Sequence, residues 1–340
     1  MKRKILITGG AGFIGSHVVR LFTTQYPNYH IINLDKLTYA GNLENLKDVE
    51  NLENYKFIKG DIVDSDFINT LFDKYDFDGV IHLAAESHVD RSIDNSDPFI
   101  RSNIIGTYNL LESARCFWGG LNIEKRENFK FIHISTDEVF GSLGEEGSFD
   151  EETPYSPRSP YSASKASSDH LVSAWQHTYN LPTLITNCSN NFGPWQFPEK
   201  LIPLVINKAI RKEQIPIYGD GKQIRDWLHV RDHVEALYHV CMFGNTGETY
   251  NIGGVNEVKN IDVALKVCAI LDDIYPINSE VYTSYSKLIK FVDDRPGHDK
   301  RYAIDCSKIK RELNWCPNED FDSGMLKTVK WYLTNYIEGK

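Results

Sequence analysis

No two cysteines in this chain stand at C-x-x-C spacing, and none falls at a zinc-ligand distance from histidine. The six present are Cys116, Cys188, Cys241, Cys268, Cys306 and Cys316. This argues against a disulfide framework and a zinc module, and it points to reduced thiols in a cytoplasmic protein with no metal. Basic charge is also short, with 37 Lys and Arg against 47 Asp and Glu, a net −10. Such a chain is a poor partner for nucleic acid, although a few converging cations can still hold an anionic metabolite. No apolar run approaches a membrane span, so no membrane partner is expected. The basic start Met1-Lys2-Arg3-Lys4 leads into Ile5-Leu6-Ile7, but Gly9-Gly10 ends that run short of a signal-peptide core. Internal repeats and low-complexity tracts are missing as well.

What is present is ordinary globular composition, 41% hydrophobic and 25% charged, in 340 residues. That length is too great for one compact core and implies two lobes. Short apolar runs over 4–8, 31–35, 55–59, 79–84, 129–135 and 182–187 read as buried strands. Amphipathic stretches over 13–24, 67–74, 98–116 and 159–179 read as helices between them, the first with Ile14, Val18, Val19 and Phe22 on one side. This alternation predicts an α/β fold, a Rossmann-type doubly wound parallel sheet with helices on both faces. From about Phe192 the pattern changes. Prolines 194, 198, 203 and 216 crowd in, and only 260–272 and 323–335 keep a helical period. The expected division is 1–191 as the dinucleotide-binding domain and 192–340 as a smaller mixed α/β substrate-binding lobe, with some later segments returning to the first.

Gly9-Gly10-Ala11-Gly12-Phe13-Ile14-Gly15 follows the first strand and opens the first helix. Gly9 permits the turn, Gly12 the approach of a pyrophosphate, and Gly15 close packing of helix on strand. The helix N-terminus supplies free N–H donors to the phosphates. Asp35 ends the second strand, where an acid accepts from both ribose hydroxyls and repels a 2′-phosphate. NAD is therefore favoured over NADP, with Lys36 as a complicating neighbour. Asp61, after Gly60, could meet the adenine edge. Leu83, Ala84 and Ala85 end the fourth strand. Their small side chains suit either backbone lying against a ribose or tight packing.

Tyr161 and Lys165 are i and i+4 on one helix. An ammonium there is expected to lower the phenol's pKa, so that the phenolate takes a hydroxyl proton while a nicotinamide takes a hydride. Thr136 on the fifth strand is the expected hydroxyl partner, with Ser135 second. The adjacent Asp137 and Glu138 offer an acid beside a base. Oxidation alone has no use for them, so they suggest an elimination.

Together these residues make the chain resemble the extended short-chain dehydrogenase/reductases and, within them, the dTDP-glucose 4,6-dehydratase family. The matching stretches run from Thr8–Gly15 and Asp35–Asn42 through Ala84–Ser92, Ser135–Gly141, Tyr161–Lys165 and Asn187–Asn191 to Phe197–Pro203, Arg225–Trp227 and Asp294–His298. Sister epimerases and decarboxylases share the glycines and the Tyr-Lys pair but usually lack the Asp-Glu pair. Phe140 and Trp195 stand where the family more often has tyrosine.

The resemblance implies oxidation at C4 by bound NAD, loss of water across C5–C6 and hydride return to C6, giving a 4-keto-6-deoxy sugar. In that scheme Tyr161 is the C4 base, Glu138 the C5 base, and protonated Asp137 the donor to the departing 6-hydroxyl. It adds Phe13, Ile14, Lys36, Leu37, Thr38, Ile62, Ser102 and Asn191 to the cofactor shell. It implies Ser87, Asn190, Lys200, Leu201 and Asn260 as contacts of a nucleotide-sugar substrate. Arg225 and Arg295, with His298, are the cations for the pyrophosphate, or else surface ion pairs. Pro216 and Tyr218 meet the pyrimidine, or else Tyr218 is core. The long helices over 98–116 and 159–179 carry wide apolar stripes, and in this fold such helices pair as a four-helix bundle, so a homodimer is expected. A 4-epimerase, a decarboxylase and a cofactor-bound sensor remain as alternatives, and the sequence does not decide between thymine and uracil.

Overall fold

The computed structural model describes residues 3–338, so Met1 and Lys2 of the basic start lie outside the described residues. Seven parallel strands form the main sheet. In chain order six of them are β1 (Arg3–Thr8), β2 (Tyr29–Asp35), β3 (Tyr55–Lys59), β4 (Gly79–His82), β5 (Lys130–Thr136) and β6 (Thr183–Cys188). After the short β7 (Asn190–Phe192), β8 (Ile215–Tyr218) and β9 (Ile224–His229), the seventh is β10 (Thr249–Ile252). The spatial order is β10-β6-β5-β4-β1-β2-β3.

Alternation along the strands builds two cores, one on each face. Ile5, Ile7, Ile31, Ile81, Ile132 and Ile134 join Val18, Val19 and Phe22 of the helix Phe13–Gln25 on one side. Leu6, Ile32, Leu34, Val80 and Phe131 join Leu71, Leu110 and Val172 of three other helices on the opposite side. The chain runs from β1 to β2 and β3, then crosses back to β4 on the other side of β1. This reversal opens a crevice at the carboxyl ends of β1 and β4, where ligands of such sheets bind.

A further core gathers Phe192, Ile206, Ile217, Trp227, Val267, Leu271 and Met325. It lies among the helices Leu201–Ile210, Asn260–Ile274 and Phe321–Glu338. Beside it stand a sheet of β7, β9 and β11 (Glu257–Lys259) and the parallel pair of β8 with β12 (Ile289–Val292). β10 and the helix Val230–Phe243 pack instead on the main sheet, where Val234, Leu237 and Tyr250 enter its first core.

One expected element needs correction. The single helix over 98–116 is broken into a short turn at Asp97–Phe99, a π-helical stretch Ile100–Gly106 and the helix Thr107–Gly119. The buried Asn103 sits in the wide turn. Its Oδ1 accepts from the backbone N–H of Glu86 at 2.8 Å, and its Nδ2 donates to the Glu86 carbonyl at 3.0 Å and to Ser164 Oγ at 2.8 Å. A π turn of this kind re-aims one side chain inside a helix, and it often marks a functional site.

Candidate active site

The crevice holds a cavity of about 590 Å³ that runs from the glycine turn to the end of β5. At one end Gly9 adopts φ +74°, and a Cβ there would fall 2.6 Å from Ala84 N. A Cβ on Gly15 would fall 2.1 Å from Gly9 O, so this glycine seats the helix start on the turn rather than on the strand. The helix Phe13–Gln25 has no side-chain cap and no acid in its first turn. Its free N–H groups face the cavity, which suits a pyrophosphate.

The buried Asp35 holds its carboxylate with Ala11 N at 2.9 Å and Leu37 N at 2.8 Å. Burial raises its pKa, and these two bonds oppose the rise. Lys36 pairs with Asp61 at 2.6 Å, which commits both charges to each other. An uncapped helix end, an acid at the end of β2 and a cradle too tight for a Cβ fit a dinucleotide without a 2′-phosphate. Phe13, Ile14, Lys36, Thr38, Asp61, Ile62, Leu83, Ala84, Ala85, Ser102 and Asn191 line the same cavity. Leu37 does not. Its φ is +57° and its side chain packs on the first core, so only its N–H faces Asp35.

At the other end Thr136, Asp137, Glu138, Tyr161 and Lys165 converge on the cavity with Ser87, Asn190 and Lys200. β5 delivers Thr136 at its last residue, and a single 3-10 turn, Asp137–Phe140, carries both acids. Thr136 caps this turn by accepting from Glu138 N at 3.3 Å, and it donates to Asp137 Oδ1 at 3.3 Å. Ser135 turns away and donates to Asp169 Oδ2 at 2.7 Å, so Thr136 is the hydroxyl that faces Tyr161. The helix Pro160–Tyr179 starts on a capping box of Ser159 and Ser162 with Pro160 in its first turn, which fixes Tyr161 one residue inside.

The electrostatics separate the two acids. Burial raises the pKa of Asp137 far above the carboxylate range, and the neighbouring Glu138 and Asp226 add to it. Glu138 is raised by burial too, but Arg295, Lys200 and Arg225 pull it back. Both acids are raised by burial, Asp137 the further, so of the two Asp137 is the better placed to hold a proton and Glu138 to lose one.

The expected lowering of the Tyr161 pKa by Lys165 is corrected. Burial raises it well above 10.0, with Glu138 and Cys188 adding to the rise. The reason is geometric: Lys165 Nζ donates to Ile134 O at 2.8 Å and lies 3.2 Å from His133 Nε2. Its own pKa falls to about 8 through burial.

The substrate residues divide. Arg225 is no surface ion pair, since it is buried, stacks 4.2 Å over the Tyr302 ring and donates to Asp299 O at 3.0 Å. Arg295 pairs with Asp90 at 2.9 Å, and Tyr218 donates to the same carboxylate at 3.2 Å. His298 bonds Asp294 at 2.6 Å and meets the Tyr218 ring edge-on, so these residues form one cluster. Tyr218 is exposed and not core. Lys200 donates to Ser87 O at 2.9 Å and ties the second lobe to the end of β4. Leu201 packs into the second core, while Pro216 on β8 and Asn260 at a helix start stand apart from the main cavity. Sequence reasoning missed Asp90, the partner of Arg295, and the buried His133 and Asp169 behind Lys165. The i+4 spacing of Asp169 from Lys165 was the available signal.

A family model described as GDP-mannose 4,6 dehydratase matches residues 6–328. The chain is 57% identical to a dTDP-glucose 4,6-dehydratase of Shigella flexneri, over 98% of this chain and 94% of that one. It is 58% identical to the Salmonella typhimurium enzyme, over 98% and 93%. The chain belongs to the dTDP-glucose 4,6-dehydratase family. A crystal structure of that enzyme from Bacillus anthracis in complex with NAD superposes with TM-score 0.86 at 43% identity, covering 98% of each chain. A UDP-glucuronic acid 4-epimerase from Bacillus cereus has the same fold, with TM-score 0.85 at 27% identity over 98% of this chain and 100% of that one. The fold is thus shared beyond the dehydratases.

Proposed function

We propose that the chain is an NAD-dependent hydro-lyase that converts dTDP-glucose to dTDP-4-keto-6-deoxyglucose, working as a cytoplasmic homodimer. One observation carries the reading: two adjacent buried acids, Asp137 and Glu138, stand in the same cavity as Tyr161 and Lys165, with Asp137 raised further than Glu138. An epimerase needs only the tyrosine.

Residues 1–191 would hold NAD through the turn at Gly9, Gly12 and Gly15, through Asp35 and through Lys165. The lobe of 192–340 would hold the nucleotide sugar. Bound NAD supplies the hydride acceptor for C4 and the hydride returned to C6, and its nicotinium charge favours a nearby phenolate. Tyr161 takes the proton of the 4-hydroxyl, which Thr136 orients. The 4-ketone acidifies C5–H, and Glu138 removes that proton. Asp137 donates its proton to the departing 6-hydroxyl and water leaves; Glu138 then returns a proton to C5 as the hydride comes back to C6. Arg225 and Arg295 oppose the rise in the Glu138 pKa and supply the cations for the pyrophosphate, with His298 beside Arg295 as a neutral hydrogen-bonding group. Tyr218 flanks the pyrimidine. All six cysteines are free and none lines up with another, which supports a reducing compartment. Among the described residues no helix is long and apolar enough to cross a membrane.

Two labels test the reaction together. With 4-deuterated dTDP-glucose, deuterium should appear at C6 of the product, and in deuterated water it should enter at C5. Label returning to C4 without loss of water would make the chain an epimerase and overturn the elimination.

A further inference from the structure

Behind the Tyr161–Lys165 turn lies a wholly buried polar cluster that the reaction leaves unused. Asp169, one turn further along the helix, accepts from Ser135 Oγ at 2.7 Å, and its other oxygen lies 3.1 Å from His133 Nε2. The same nitrogen stands 3.2 Å from Lys165 Nζ. The amine's own hydrogen bond goes to a neutral carbonyl, Ile134 O. An ammonium buried on such partners needs a compensating charge nearby.

The groups facing Lys165 can be taken in turn. His82 on β4 is held between the hydroxyls of Thr8 and Thr107 at 2.7 and 2.9 Å, and burial keeps it neutral. His133 on β5 is lowered to about 4 by burial and is neutral too. Cys188 on β6 is raised to about 12 by burial and stays a thiol. Asp169 remains. Its carboxyl is held below the usual range by His133, Lys165 and Ser135 against the cost of burial, and of the charges acting on Lys165 it is the strongest that favours the ammonium. Tyr155 and Asn187 also face Asp169, and neither carries charge at neutral pH.

We propose that Asp169 is a positioning residue for Lys165: its carboxylate, set behind His133, is the counter-charge that keeps the amine protonated beside Tyr161. This rests on the reading of Lys165 as a catalytic-site residue that helps hold NAD in the cavity it shares with Tyr161. Asp169 touches neither substrate nor cofactor and acts only through the lysine.

The test follows the charge on Lys165. In protein labelled with ε-13C-lysine, the resonance lost in Lys165→Met should titrate near 8 in the unsubstituted chain. Asp169→Asn should move that titration, and the alkaline limb of kcat, to lower pH by about 1–3 units. Asp169→Glu, which keeps the charge, should restore both. If Asp169→Asn does not fold, the unsubstituted chain still decides. The Asp169 carboxyl resonance should shift as Lys165 titrates and lose that step in Lys165→Met. A lysine titration unmoved by Asp169→Asn, or an Asp169 resonance flat across it, overturns the proposal. If Lys165→Met retains full turnover, the role of Lys165 itself fails; an inactive Lys165→Met with an unmoved Asp169→Asn titration removes only the role of Asp169.

Discussion

Asp137 and Glu138 have nearly the same chemistry and adjacent positions, yet their surroundings raise their pKa values to different extents. Asp137 feels Arg225 against the charges of Glu138 and Asp226 and has a carboxyl oxygen with no hydrogen-bond partner, whereas Glu138 feels Arg295, Lys200 and Arg225. Asp137→Asn and Glu138→Gln should each lower turnover by about 10²–10⁴ while NAD stays bound, as single-turnover and cofactor-binding assays would show. Stability should move the other way for Asp137. The unfolded chain releases this proton above 3.8, while the native state keeps it to a much higher pH. The native state thus binds the extra proton, and stability falls as pH rises through that window. Asparagine imitates the neutral acid, so Asp137→Asn should raise Tm at pH 8 relative to the unsubstituted chain and change it little at pH 3. A lower Tm at pH 8 would mean that Asp137 is ionised in the native state.

At the scale of elements, legibility followed period and punctuation. The strands over 4–8 and 79–84 were visible because short apolar-rich runs ended by turn residues have one solution in a parallel sheet. The glycine turn and Tyr161–Lys165 were visible because their spacing carries their geometry. The strand Thr249–Ile252 was not, since four residues far along the chain give no sign of pairing with β6. Nor was the π turn at Ile100–Gly106, because a helical period does not register one inserted residue. The cation cluster of Arg225 and Arg295 depends on β9 and the loop after β12 meeting the end of β5, a contact no local pattern encodes. Asn103 makes the π turn testable. Asn103→Ala would leave the Glu86 N–H and C=O and Ser164 Oγ without this partner, at a cost of about 1–3 kcal/mol. Calorimetry should show a lower Tm, and NAD affinity should drop because Ser102 lines the cavity from the same turn. Unchanged Tm and affinity would reduce the π turn to a packing detail.

At the scale of the whole molecule, the helices that carry Ser102 and Tyr161 also carry an exposed apolar surface. Ile100, Ile105, Tyr108 and Tyr179 are each more than 40% exposed. Tyr108 meets Trp175 edge-on across the two helices, and Trp175 meets Tyr179 along one of them. Arg115 lies 4.8 Å over the Tyr179 ring and pairs with Glu112, which accepts from Trp175 Nε1 at 2.8 Å. This face is aromatic and rimmed by charge, as protein interfaces are. A second copy of the chain, turned about a two-fold axis, would bury it as four helices. Light scattering at micromolar concentration should then give twice the 39.0 kDa chain mass. Ile105→Asp with Tyr108→Asp would place two charges in the buried centre and should shift the mass to that of a monomer. Turnover should fall with dimerisation, because the helix that loses its support begins at the residue before Tyr161. A monomer mass for the unsubstituted chain, or a charged double variant that stays dimeric, would move the interface elsewhere.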